Sequence, residues 1–279
     1  MSIKKKIKHS LEVLISIVKE KNIVPILVEK EKEEILKGRT ALIIGGAGGI
    51  GLAITKKFLE CGCKVVISGT NASKMSKVCE ELSDVRYIIM DLKDISSIES
   101  KIQEAETIFG KIDTFVCASG VHTNRNGFAW NNVTEEDYDF VMDINLKGTY
   151  FLIQKIAKYM VDSNIIGNIL VISSQSALEP SWSPYRLSKL GISGMVEGFA
   201  QQLIKHNIVV NAIGPGPTFT KMQRTAIEGS IYTPDSPIER MAMPEEIADF
   251  AQRLVFGAGD LVVGQTVYLS AGRGIIDVR

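Results

Sequence analysis

Histidine and cysteine are scarce in this chain: three of the former and four of the latter in 279 residues. His9, His122 and His206 have no neighbours at zinc-ligand spacing, and Cys61, Cys63, Cys79 and Cys117 are scattered. That pattern argues against a metal site and reads as reduced thiols in a cytoplasmic protein. Charge of one sign is lacking too, since Lys plus Arg and Asp plus Glu both number 32. No global field therefore argues for nucleic acid, and the expected partners are small molecules or copies of the chain itself. No apolar run is long enough to span a bilayer. The opening "MSIKKKIKHS" is basic, but "LEVLISIVKEK" after it is interrupted by Glu12 and Lys19 and offers no small-residue cleavage site, so it is not read as a signal peptide. Internal repeats and low-complexity tracts are missing as well.

What is present is a rhythm. Hydrophobic residues make up 45% of the chain, enough for one sizeable α/β domain. From Lys37 onward, short β-rich apolar runs alternate with helix-period segments: "TALIIGG", "CKVVISG", "VRYIIMD", "IDTFVCASG", "GNILVISS", "IVVNAIGPG" and "QTVYLSAG". Strands separated by helices predict a doubly wound parallel sheet over residues 38–279, because each right-handed crossover lays its helix on the sheet. Residues 1–37 read as an amphipathic helical extension, with Ile7, Leu11, Leu14, Ile15 and Val18 at helical spacing and Pro25 before the charged "EKEKEEILKG". The extension is expected to pack on the body or a neighbouring subunit rather than on a membrane surface.

Two motifs carry chemistry. In "TALIIGGAGGIGLAI" a glycine cluster joins a strand to a helix; Gly45, Gly49 and Gly51, with Gly48 and Ile50 among them, suit a tight turn that admits a pyrophosphate to the helix N-terminus. In "SPYRLSKLGISG", Tyr185 and Lys189 stand at i and i+4, one turn apart on one helix face. A free phenol, with a pKa of about 10, is a poor base near neutrality. A nearby ammonium favours its phenolate, so the pair suits proton exchange with a carbonyl or hydroxyl oxygen.

The GxxxGxG spacing at 45–51, the YxxxK at 185–189 and "IGPGP" after a strand together resemble the short-chain dehydrogenase/reductase family, over about residues 39–279. The resemblance implies a Rossmann-type fold and hydride transfer between a nicotinamide cofactor and a carbonyl or secondary alcohol, with Tyr185 and Lys189 also touching the cofactor. It further implies that Ser174 polarises the substrate oxygen, with Ser176 as fallback because the interval to Tyr185 is two residues short, and that Asn145 holds a water linking the lysine to solvent. Cofactor contacts are implied at Gly69, Thr70 and Asn71, at Asp91 and Leu92, at Ala118, Ser119 and Gly120, and at Pro215, Gly216, Thr218 and Thr220. No acid stands at 69–71, where one would read the ribose of NAD, so NADP(H) is favoured over NAD(H), with Ser68 and Lys74 as further phosphate partners. Departures from the family pattern are Ile44 in place of a threonine and Cys117-Ala118 in place of asparagines. His122, Trp130, Trp182 and a lid over residues 217–243 are the expected pocket walls. A homodimer or homotetramer formed through the helices of Asn145 and Tyr185 is implied. A non-catalytic nucleotide-binding regulator and an epimerase or dehydratase remain as alternatives.

Overall fold

The computed structural model describes residues 34–123, 127–220 and 229–274. The N-terminal extension lies almost wholly outside the described residues, as does Met222 of the expected lid. Leu36 already belongs to the core: it is buried, and its amide donates to Cys61 O.

Seven strands form one parallel sheet: β1 (Thr40–Ile44), β2 (Lys64–Gly69), β3 (Val85–Ile89), β4 (Thr114–Cys117), β5 (Gly167–Ile172), β6 (Ile208–Pro215) and β7 (Thr266–Leu269). Their order is β3-β2-β1-β4-β5-β6-β7, all pairs parallel, so the seven apolar runs of the sequence are the seven strands. The period-2 geometry of a strand divides the core in two. Ala41 and Ile43 of β1 face helices α1 (Gly49–Glu60), α2 (Ala72–Glu81) and α7 (Pro244–Leu254). Leu42 and Ile44 face α3 (Ile98–Phe109), α5 (Thr149–Asp162) and α6 (Pro184–Leu203). Because both faces are covered, β1, β5 and β6 are buried at every position.

The strand order reverses between β1 and β4, where crossovers leave in opposite directions and open a crevice at the carboxyl ends. Ile44 pairs with Cys117 there, so the glycine turn and the segment 118–120 leave the sheet side by side. Gly45 has φ +80°, and a Cβ on it would lie 2.9 Å from Ala118 C and Ser119 N. Glycine is required by both conformation and contact.

The helical segment that runs through Asn145 has a defect. After α4 (Glu135–Met142), whose N-terminus is closed by a Thr134–Asp137 capping box, Asp143–Gly148 winds as a π-helix before α5 resumes. Close packing accompanies the change: a Cβ on Gly148 would lie 2.7 Å from Leu92 O and 3.0 Å from Asp143 O.

Candidate active site

Helix α1 begins at the crevice with no side chain capping its first amides among the described residues. Gly48, its N-cap, has no side chain to offer, and the first turn contains no acidic residue. A Cβ on Gly51 would lie 2.1 Å from Gly45 O, and one on Gly49 would lie 2.6 Å from Thr220 Cγ2. The glycines therefore draw the turn against the helix start and leave partial positive charge facing outward, which fits the diphosphate of a dinucleotide.

At the end of β2, Gly69 is followed by exposed Thr70 and Asn71. Asn71 is the N-cap of α2, its Oδ1 accepting the Lys74 amide at 2.9 Å. Ser68 does not reach this surface: it is fully buried and its hydroxyl has no partner among the described residues, because strand alternation turns it into the core. The expectation that Ser68 would meet a phosphate is corrected accordingly. After β3, exposed Asp91 accepts the Lys93 amide in a local turn at 2.9 Å, while Leu92 is buried in the core.

Helix α6 presents the Tyr185–Lys189 face. Ser183 caps it by accepting the Arg186 amide at 3.3 Å, and Pro184 occupies its first turn. Lys189 Nζ lies 5.7 Å from the centroid of the Tyr185 ring and donates to Ile172 O at 3.1 Å. Lys189 is 3% exposed and has no carboxylate partner among the described residues. Burying a cation without a counter-ion is costly, which points to a purpose other than stability.

Asn145, in the π-helix, is spent on the segment after β4. Its Oδ1 accepts Val121 N–H at 2.8 Å, and its Nδ2 donates to Val121 O at 2.8 Å and to Ser188 Oγ at 3.3 Å. Ser188 in turn donates to Tyr185 O at 2.7 Å. One side chain thus ties the π-helix, the Gly120–Val121 strand exit and the tyrosine's helix together. A Cβ on Gly120 would lie 3.4 Å from Lys189 Nζ and 3.6 Å from Asn145 Oδ1, so this glycine brings the strand exit to both groups. Cys117 beneath it has its thiol pushed up by burial.

Ser174 follows β5 and accepts the Ser176 amide at 3.1 Å, which leaves its hydroxyl hydrogen free to donate. Ser173 instead donates to Lys189 O at 3.3 Å. The shortened route to Tyr185 runs through a 3-10 turn and is pinned by Glu179, which pairs with Arg186 at 2.8 Å and Arg273 at 3.4 Å. After β6, Gly216 packs so closely that a Cβ would lie 2.9 Å from Ser270 Cα. Thr218 donates to Gly216 O at 2.9 Å and bridges to Ala242, while Thr220 rests on Gly49.

A cavity of about 270 Å³ opens beside Tyr185, lined by His122, Thr123, Phe128, Trp182 and Ser183. Trp130, expected in this wall, is instead 76% exposed, and Phe128 takes that place, 5.6 Å from Trp182 between ring centroids. Neither residue type nor spacing in "FAW" distinguishes the two, because the loop's path decides which ring turns inward.

A family model described as short chain dehydrogenase matches residues 39–230. The chain belongs to the short-chain dehydrogenase family. As a member it is an NAD(P)-dependent oxidoreductase on a Rossmann-like fold. It is 32% identical over 247 residues to a 3-oxoacyl-[acyl-carrier-protein] reductase FabG of Rickettsia bellii, covering 85% of this chain and 97% of the relative. It is 29% identical over 247 residues to the (2S)-[(R)-hydroxy(phenyl)methyl]succinyl-CoA dehydrogenase subunit BbsD of Thauera aromatica, covering 86% of this chain and 98% of that one. Among solved structures, a 3-oxoacyl-[acyl-carrier protein] reductase from Brucella melitensis superposes with a TM-score of 0.80 at 27% identity, covering 92% of this chain and all of that one, 100%. Among the described residues of this short-chain dehydrogenase, no helix is long and apolar enough to cross a membrane.

Proposed function

We propose that this chain is a carbonyl reductase that prefers NADP(H), with Tyr185 as the group that exchanges a proton with the substrate oxygen. The supporting observation is the buried Lys189 ammonium beside the Tyr185 ring at the mouth of the crevice, unpaired by any carboxylate among the described residues. The bound nicotinamide would supply or accept the hydride. Tyr185 Oη donates its proton to the carbonyl oxygen, and Lys189 holds the negative charge left on the phenolate. Ser174, with its hydroxyl hydrogen free, donates to the same oxygen and fixes its position. Asn145 holds the strand exit and α6 in register for this work.

The preference for NADP(H) follows from Gly69–Thr70–Asn71, where no carboxylate would repel a 2′-phosphate, and from exposed Lys74 beside them. The reductase named in the Rickettsia and Brucella relatives fits the carbonyl-reducing direction. Exposed Tyr138 on α4, Tyr150 on α5, and Leu187 and Leu190 on α6 support self-association through the helices around Asn145 and Tyr185, as a homodimer or homotetramer.

Tyr185→Phe is expected to lower kcat by at least about a hundredfold while NADPH still binds, as followed by nucleotide fluorescence. Retained turnover would remove the tyrosine from the mechanism, and tighter binding of NADH than NADPH would reverse the cofactor preference. Net consumption of reduced nicotinamide separates this reading from an epimerase or a regulator, which consume none.

A further inference from the structure

The polar groups around the Tyr185 cavity are unequally used. Ser183 is committed to capping α6. His122 lies edge-on to Tyr185, with ring centroids 6.0 Å apart, and its Nδ1 is 2.9 Å from Thr123 O. A carbonyl oxygen only accepts, so Nδ1 carries the hydrogen and Nε2 of the neutral ring keeps its lone pair. No hydrogen bond to Nε2 forms among the described residues. On the next residue, Thr123 Oγ1 is buried and has no hydrogen-bond partner among the described residues. A buried hydroxyl without a partner is destabilising and calls for an explanation in the site it lines.

We propose that His122 Nε2 and Thr123 Oγ1 form a subsite for a hydroxyl group of the substrate, so that the carbonyl compounds this chain reduces carry a hydroxyl close to the reacting carbon. The inference rests on the reductase reading of Tyr185. A hydroxyl is the group that satisfies both partners: it donates to Nε2 and accepts from Thr123 Oγ–H. A plain ketone, ether or thioester only accepts and leaves Nε2 without a donor from the substrate. Sites built to hydrogen-bond a substrate hydroxyl reject analogues that lack it far more strongly than apolar pockets reject a methylene. Phe128 and Trp182, packed on each other at 5.6 Å between ring centroids and tilted by 35°, offer an apolar wall to the carbon framework.

The test uses two near-isosteric pairs, hydroxyacetone with butanone and 2-hydroxyacetophenone with propiophenone, each assayed with NADPH and NADH. His122→Phe keeps a ring against Tyr185 and deletes Nε2; His122→Gln returns an acceptor; Thr123→Val removes only the hydroxyl. The readout is the ratio of kcat/KM for the hydroxyketone over its partner, compared between variants, which cancels the intrinsic reactivities of the two ketones. We expect the ratio to fall about tenfold in H122F, less in T123V, and to recover in part in H122Q. A ratio unmoved in H122F and T123V, or an equal loss for both ketones, would overturn the subsite and leave the reductase reading standing. Failure of the unaltered enzyme to reduce any of the four would overturn both.

Discussion

Truncating Asn145 to alanine removes three hydrogen bonds at a position only 1% exposed. Two of the lost partners are the amide and carbonyl of Val121, at 2.8 Å each, and the Asn145 bonds are the ones they make among the described residues. The third, Ser188, keeps Tyr185 O as its acceptor and loses little. Leaving a buried donor or acceptor unsatisfied costs about 1–3 kcal/mol, so two such groups predict a loss of about 2–6 kcal/mol, with the low end applying because the Val121 bonds are only part-buried and water can enter the gap. That is a large share of a domain stability of about 5–15 kcal/mol. Urea unfolding of Asn145→Ala at fixed protein concentration, beside the unaltered protein, measures it through the midpoint at constant slope. Because the same bonds hold Val121, one residue before His122, turnover should fall together with stability. A loss below about 0.5 kcal/mol would show that Val121 finds other partners and that Asn145 is not the tie between strand exit and helix.

Gly51→Ala would set a Cβ 2.1 Å from Gly45 O, against ordinary contact at 3.4–4 Å, with backbone on both sides and nothing flexible to give way. Binding of NADPH should weaken by about tenfold or more, and a titration indistinguishable from that of the unaltered protein would sink the phosphate-turn reading. Glu246 is held below the usual carboxylate range, first by its hydrogen bond with Arg240, and it also accepts the Met243 amide at 2.8 Å at the start of α7. A depressed folded-state value means that this stabilisation is present above the carboxylate range and is lost as pH falls through it. Both side chains are about a third or more exposed, at 32% and 47%, so Arg240→Gln should cost less than about 1 kcal/mol near neutrality and nothing in strong acid. A difference that grows on acidification would contradict the sign.

The chain's own order of residues determined the fold. Seven apolar runs bounded by turn signals became seven strands, since a strand buried on both faces has no alternative to continuous hydrophobicity. Gly45 to Gly51 and the Tyr185–Lys189 pair were legible for a similar reason: a tight turn and a single helix face are local geometries, set by spacing within a few residues. Tertiary contact alone decided the rest. The π-helix around Asn145 accompanies the close meeting of Gly148 and Leu92, more than fifty positions apart in sequence, and no local pattern marks it. Ser68 turned inward with the pleat of β2, and Phe128 rather than Trp130 entered the cavity, because the path of a strand or loop through space assigns a side chain to core, pocket or solvent. His122 and Thr123 acquired their unspent polar atoms in the same way: a lone pair is free or taken according to which distant groups the fold brings beside it.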